Sequence, residues 1–278
     1  MTEHAARAVV FTDLDGTLLD RTTYSYDAAL PAVELLLRSG VPIVFCSAKT
    51  RAEQKVYRSR LGIGDPFIVE NGGGIFIPQG YFPFDFERDG TLGGYAVIEL
   101  GMPYRKLRAV LERLRAEKRL GFKGFGDMRP EEVASVTGLD LGMAHKAKQR
   151  EYTETLILDG TPQEVERALG AIEEAGLTWT HGGNFYEAMG GNDKGRAASI
   201  LISLLRRKLG RIQTIGLGDS LNDQPLLAVV DTPVLVQKPQ GEWEKMDLPG
   251  LHRVDGIGPV GWKQAIYDIV GHLGLSEE

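Results

Sequence analysis

Asp13 and Asp15 stand two positions apart at the end of the apolar run 7–12, and Gly16 and Thr17 follow at once. If that run is a strand, its period of two turns both carboxylates toward one side of a sheet's carboxyl edge, where open α/β sheets bind their ligands. Two carboxylates so placed can hold a hard divalent cation while one attacks as a nucleophile and the other moves protons. The spacing also fits a solvated strand-end turn. A calcium loop begins with D-x-D-G as well, but its later ligands, including the closing Glu, do not follow here.

A second apolar run, 213–217, leads into Gly218-Asp219-Ser220-Leu221-Asn222-Asp223 and brings more acids to a strand end. This is no dinucleotide fingerprint, since Leu221 stands where G-x-G-x-x-G needs its last glycine, and no G-K-S/T occurs at 190–194. Ser47 follows the strand-like 42–46 and offers a hydroxyl and a backbone N–H at an expected helix start, a phosphate contact. Lys194 heads another helix, where its ammonium can meet a phosphoryl oxygen. Taken singly, each of these also reads as a helix cap or a solvated side chain.

These residues need elements to hold them. Apolar runs at 7–12, 42–46 and 67–69 alternate with helical patterns before 40 and over 51–61, and 72–77 reads as a hairpin arm. The alternation returns with a helix over 194–209, a strand at 213–217, a helix over 221–229, a strand at 233–236 and a closing helix from 262. Parallel strands joined by helices imply an α/β fold, a doubly wound and mainly parallel sheet. Between the halves, 84–90 is a polar connector, after which 95–100, helices at 104–118 and near 131–148, and short strands at 155–158, 177–180 and 185–189 describe an α+β insert. The expected division is a core of 1–84 and 191–278 carrying a cap of 85–190.

With 278 residues, 42% of them hydrophobic and 25% charged, the chain has material for such a core. Thirty-two Lys and Arg against thirty-eight Asp and Glu leave a charge of −6 and no broad basic surface for nucleic acid. Cys46 is the only cysteine, so a disulfide within the chain and a cysteine zinc cluster are excluded. No segment approaches the roughly 20 apolar residues of a membrane span, and cytoplasm is the expected compartment.

The order Asp13-x-Asp15-Gly16-Thr17, Ser47, Lys194, Gly218-Asp219-x-x-Asn222-Asp223 resembles the four motifs of the haloacid dehalogenase superfamily of aspartate-nucleophile phosphotransferases. The resemblance implies that Asp13 attacks phosphorus, that Asp15 serves as acid and then base, and that Ser47 and Lys194 neutralise phosphoryl oxygens. It also implies Mg2+ on Asp13, the Asp15 carbonyl and Asp219, with Asn222 and Asp223 behind. The cap is similar to that of the superfamily's sugar phosphatases. Glu70-Asn71-Gly72-Gly73, the Arg150-Glu151-Tyr152-Thr153-Glu154 segment, 182–186 and Asp193-Lys194-Gly195 resemble the mannosyl-3-phosphoglycerate phosphatase family. That resemblance implies a small phosphorylated glycosyl-glycerate as substrate, a place in compatible-solute synthesis, and substrate contacts from Glu70, Asn71, Gly72, Arg150, Glu151 and Thr153. Arg150 would grip the carboxylate and Glu151 the hydroxyls. A hexose- or sucrose-phosphate phosphatase and a phosphomannomutase are the alternatives on the same fold.

Overall fold

The computed structural model describes residues 7–182 and 185–273. The chain starts with β1 (Arg7–Thr12), α1 (Leu30–Arg38), β2 (Ile43–Phe45), α2 (Arg51–Leu61) and β3 (Phe67–Val69). An antiparallel run of β4 (Gly74–Pro78), β5 (Gly90–Leu92) and β6 (Tyr95–Glu99) follows. Next come α3 (Tyr104–Lys118), β7 (Phe122–Gly124), α4 (Pro130–Thr137), α5 (Leu141–Ala147), β8 (Glu154–Leu158), α6 (Pro162–Glu174), β9 (Thr178–Gly182) and β10 (Phe185–Met189). The chain then returns with α7 (Lys194–Leu209), β11 (Ile212–Gly218), α8 (Gln224–Leu227), β12 (Thr232–Gln237), β13 (His252–Ile257) and α9 (Pro259–Leu273).

The central sheet has the order β13-β12-β11-β1-β2, every neighbour parallel. Strand β1, flanked by β11 and β2, shows why the run 7–12 lacks polar alternation: Val10 packs into one apolar layer and Val9 and Phe11 into the other. Helix α7 covers the second layer through Ala197, Ala198, Leu201 and Leu205. At the strand's end the Thr12 hydroxyl donates to the Asp13 carbonyl at 2.7 Å and accepts from the Trp262 indole at 3.0 Å, so a buried polar side chain has both partners it needs.

The structure departs from the sequence reading at several points. Strands β5 and β6 do not belong to the inserted unit: β6 pairs with β4, β4 with β3, and β3 touches the central sheet through the bridge between Cys46 and Ile68. The inserted sheet, β7-β8-β10-β9, is antiparallel and separate, so the unit with its own sheet starts near α3 rather than at residue 85. Strand β13 was not foreseen, because a largely exposed edge strand of mixed polarity carries no apolar run. The helix expected over 221–229 is a 3-10 turn followed by the short α8, whose Pro225 sits in the first turn. Among the described residues, no helix is long and apolar enough to cross a membrane.

Helix α7 is set close against α8: a Cβ on Gly195 would lie 2.2 Å from the Pro225 carbonyl oxygen. Gly170, inside α6, faces open space. Urea unfolding should therefore find Gly195→Ala less stable by about 1–3 kcal/mol, the cost of overpacking, and Gly170→Ala more stable by about 0.5–1 kcal/mol from helix propensity alone.

Candidate active site

Sheet register dictates the centre of the site. Thr12 pairs with Leu217 across β1 and β11, and the Asp13 amide donates to the Leu217 carbonyl at 2.9 Å, so Asp13 and Asp219 leave adjacent strands side by side. Asp13, Asp219 and Asp223 are all buried, and one carboxylate oxygen from each lies within 4.8 Å of the others. Lys194 is fully buried against them, its Nζ donating to Asp13 Oδ1 at 2.7 Å and to Asp223 Oδ1 at 2.6 Å. Burial alone would favour the neutral amine, but the two carboxylates outweigh it and hold the Lys194 pKa above the ordinary lysine value. Burial pushes Asp219 upward, Asp223 and Asp13 push the same way, and Arg21 opposes them.

Asp223 also accepts from the Asp219 and Ser220 amides at 3.0 and 3.1 Å, so both of its oxygens are engaged and it braces the Gly218–Asp223 turn. Asp13 and Asp219, with the Asp15 carbonyl, are the donors that the resemblance implies for a cation, and the two carboxylates lie in one cluster with Asp223. The donor set is all oxygen, without histidine or thiolate, and burial pushes the Cys46 thiol up. It fits a hard cation.

Asp15 is held differently. Its Oδ2 pairs with Lys49 Nζ at 3.0 Å, while Oδ1 has no hydrogen-bond partner. Burial raises the Asp15 pKa and Lys49 pulls it back. Lys49 also reaches Glu53 at 3.5 Å and lies 4.9 Å from the centre of the Tyr24 ring. Sequence reasoning missed Lys49, although a lysine two residues past Ser47 on the same loop was a signal. Arg21 was missed without any signal. The loop after Asp15 folds back, with the Gly16 amide on the Leu19 carbonyl at 2.8 Å, and carries the Arg21 guanidinium onto Asp219 Oδ2 and to 3.5 Å from the Asp15 carbonyl.

Ser47 lines the same cavity, but its backbone N–H is not available there: it donates to the Ile68 carbonyl at 3.3 Å. The helix it was expected to start begins later, where Thr50 and Glu53 form a reciprocal cap on α2. Only the hydroxyl is free to meet a ligand, and it already accepts from the Lys49 amide at 3.3 Å.

The residues expected to contact substrate mostly hold the inserted unit to the core. The Glu70 carboxylate is fully buried and accepts from the amides of Glu151, Tyr152 and Thr153 at 2.8–2.9 Å. Burial pushes it up to about 7, with Arg150 and those amides opposing. Glu151 is in a two-pronged pair with Arg51, both contacts 3.0 Å. Thr153 donates to Glu187 at 3.0 Å. Asn71 accepts from the Asn222 amide at 3.2 Å, and a Cβ on Gly72 would strike the Asp193 carbonyl at 2.0 Å. Arg150 does border the cavity, but its guanidinium is engaged by Glu187 at 2.7 Å, the Thr153 carbonyl at 2.9 Å and the Ala48 carbonyl at 3.2 Å. Gly183 and Asn184 of the 182–186 segment lie outside the described residues, and the His181 and Tyr186 rings meet at a tilt with centroids 4.6 Å apart, neither lining the cavity. Instead, Phe125, Phe185, Thr155 and Glu187 form its upper wall, facing Asp13, Asp15 and Ser47 below.

Residues 10–82 match the family model of haloacid dehalogenase-like hydrolases. A glucosyl-3-phosphoglycerate/mannosyl-3-phosphoglycerate phosphatase of Methanococcoides burtonii is 47% identical over 95% of this chain and 97% of its own. The chain belongs to the haloacid dehalogenase-like hydrolases. Within that family it is a phosphatase, a phosphoric monoester hydrolase. The mannosyl-3-phosphoglycerate phosphatase of Pyrococcus horikoshii is 42% identical over 82% of this chain and 90% of its own. Among solved structures, a Thermoplasma acidophilum protein superposes with a TM-score of 0.66 at 18% identity over 98% of this chain and all of that one. The Synechocystis sucrose-phosphatase superposes with a TM-score of 0.62 at 14% identity, over 97% of this chain and 98% of that one. These two likenesses establish the shared fold of this haloacid dehalogenase-like enzyme.

Replacing Arg150 by Met leaves Glu187 and Glu70 buried without their cation. Urea unfolding should show a loss of about 3–5 kcal/mol, and the remaining turnover should fall alike on a carboxylate-bearing phosphate ester and on a small aryl phosphate. A loss confined to the former would put the guanidinium on the substrate.

Proposed function

We propose that this phosphatase hydrolyses mannosyl- or glucosyl-3-phosphoglycerate, releasing the glycosylglycerate and phosphate with Mg2+ as cofactor. The relatives that match nearly the whole chain carry those substrates in their names. The observation that carries the mechanism is the contrast between two carboxylates two residues apart. Asp13 is bound to a buried ammonium that fixes its direction, as a nucleophile requires. Asp15 is raised by burial and reaches the cavity, as an acid–base residue requires.

Asp13 forms the new bond to phosphorus as the ester P–O bond breaks, and Asp15 gives its proton to the departing glycerate oxygen. Asp15, now a carboxylate, takes a proton from the water that attacks the aspartyl phosphate, and Asp13 leaves. Lys194 and the Ser47 hydroxyl supply positive charge and a hydrogen bond to the phosphoryl oxygens. Asp13, the Asp15 carbonyl and Asp219 would hold Mg2+, which supplies further charge neutralisation at phosphorus. Residues 1–84 and 191–278 would form the catalytic core, with β5 and β6 at its margin and the unit from α3 to β10 as the cap.

The cavity between them measures about 170 Å³, less than the roughly 300 Å³ of an ordinary small-ligand site. A glycosyl phosphoglycerate enters by separating cap from core, and closure then excludes water from the first step. The phenyl rings of Phe125 and Phe185, with centroids 5.5 Å apart, give a sugar ring apolar surface to lie against.

Asp13→Asn should abolish phosphate release while the protein still unfolds cooperatively in urea, and excess chelator should silence the wild type. Undiminished activity in chelator would remove the metal from this scheme. Across a panel of sugar phosphates, kcat/KM should be highest for the glycosyl-3-phosphoglycerates, and hexose 1-phosphate should yield no hexose 6-phosphate.

Lys49 provides a pH test. Its ammonium lowers the Asp15 pKa, so Lys49→Met raises it, and the protonated acid persists to higher pH. The alkaline limb of kcat/KM should move up by about one unit or more. It should move less with an aryl phosphate, whose leaving group needs less protonation. An unmoved limb would take Asp15 out of the acid role.

A further inference from the structure

Three cationic side chains border the cavity: Lys49, Arg150 and Arg21. Lys49 is bound to Asp15 and Glu53, and Arg150 to Glu187. Both are thus tied to carboxylates of the cavity wall, which a ligand carboxylate would have to share. Arg21 is also paired, but its partner is Asp219, and it spans from that carboxylate to the Asp15 carbonyl. Those are two of the groups that would hold Mg2+. Asp13 and Asp15 act on the guanidinium as well. The loop is shaped for the contact. Gly16 has a φ of 83°, and a Cβ there would lie 2.7 Å from an Arg21 nitrogen and 2.8 Å from Asp219 Oδ2. Arg21 Nε is buried without a hydrogen-bond partner, so the side chain is not fully satisfied where it lies.

A guanidinium and a divalent cation cannot share the same oxygens, since like charges at such a distance repel strongly. We infer that Arg21 and the metal ion compete for Asp219, and that the arginine released by the metal becomes the anchor for the substrate's carboxylate. The second half rests on the substrate reading proposed above. Arg21 comes from a loop on the core, its side chain is 26% exposed, and it already borders the cavity, so it needs only to turn away from Asp219 to present two parallel N–H donors. Metal-free protein would thus keep its buried carboxylates neutralised while offering no free cation to a glycerate. Loading the metal would create the carboxylate site, giving an order of binding: metal first, substrate second.

Two measurements test this without turnover. Titration calorimetry of Mg2+ alone should show Arg21→Gln binding the ion about tenfold or more tightly than the wild type, because a charge-assisted contact no longer has to be broken. Calorimetry of the product glucosylglycerate should show binding to wild type that strengthens with Mg2+ present, and by linkage the product should tighten Mg2+ by the same factor. Arg21→Gln should lose that coupling.

In turnover at saturating Mg2+, the ratio of kcat/KM for glucosyl-3-phosphoglycerate to that for 4-nitrophenyl phosphate should fall about tenfold or more in Arg21→Gln. Arg21→Lys should recover part of the ratio. It retains the charge, so a misfolded loop is distinguished from a lost anchor. Unchanged or weaker Mg2+ binding in Arg21→Gln overturns the competition. Tighter Mg2+ with an unchanged substrate ratio overturns the anchor. Wild-type protein that ignores glycosyl phosphoglycerates, while Arg21→Gln still tightens Mg2+, would fault the substrate reading and leave the competition standing.

Discussion

A lysine ammonium with no solvent exposure, clamped between two carboxylates, is the interaction around which the rest of this molecule is arranged. Burying such charges costs several kcal/mol each unless the geometry returns it, and the fold is correspondingly strict wherever it touches Lys194. Asp193 caps the helix so that Lys194 is its first residue, with the Arg196 amide 2.8 Å from the capping carboxylate. Gly195 lets that helix close on the Pro225 carbonyl. Gly218 has no side chain because Asp223 occupies the space, a Cβ there falling 2.5 Å from that of Asp223. A local change at any of these points reaches Asp13 through one ammonium.

The seam between core and cap is built on the same logic of paired buried charge, with strain added. Glu70 and Asn71 adopt left-handed backbone angles, φ 49° and 53°, that non-glycine residues seldom take. The Asn192 side chain holds their carbonyls at 3.2 and 3.1 Å, and the Glu70 carboxylate then gathers three successive amides of the cap. Arg150, reaching the Ala48 carbonyl between Ser47 and Lys49, ties the cap to a loop that lines the cavity. Cap position and the environment of Asp15 are therefore mechanically linked.

What was legible in the sequence follows from how local each signal is. Helices α2 and α7 start and stop where periodicity and flanking residues indicate, since Thr50 with Glu53, Asp193, Gly62 and Gly210 act within one turn of the chain. The adjacency of Asp13, Lys194, Asp219 and Asp223 was legible because strand ends of a parallel sheet share an edge. The membership of β5 and β6 was not, because antiparallel pairing is decided by a partner elsewhere and not by the strand's own residues. Arg150 and Glu151 read as a donor and an acceptor waiting for a ligand; Glu187 and Arg51, distant in sequence, had already taken them. Arg21 was invisible for the same reason, its partner lying 198 positions away.

The chain enters and leaves the cap at almost one point. A Cβ on Gly190 would lie 2.4 Å from that of Met102, and the amides of Leu100 and Gly101 both donate to the Gly73 carbonyl at 2.9 Å. Topologically, the cap is a cassette whose two ends meet, so a different one can be spliced in at that crossing without disturbing the order of the central sheet. What limits the exchange is compatibility of the seam. A foreign cassette lacking a counterpart to Arg150 would leave the Ala48 carbonyl without that donor, and one lacking three well-placed amides would strand the buried carboxylate of Glu70. Diversification of such enzymes is thus easiest on the cavity-facing surface of the cassette, around Phe125, Thr155 and Phe185, and hardest along its underside.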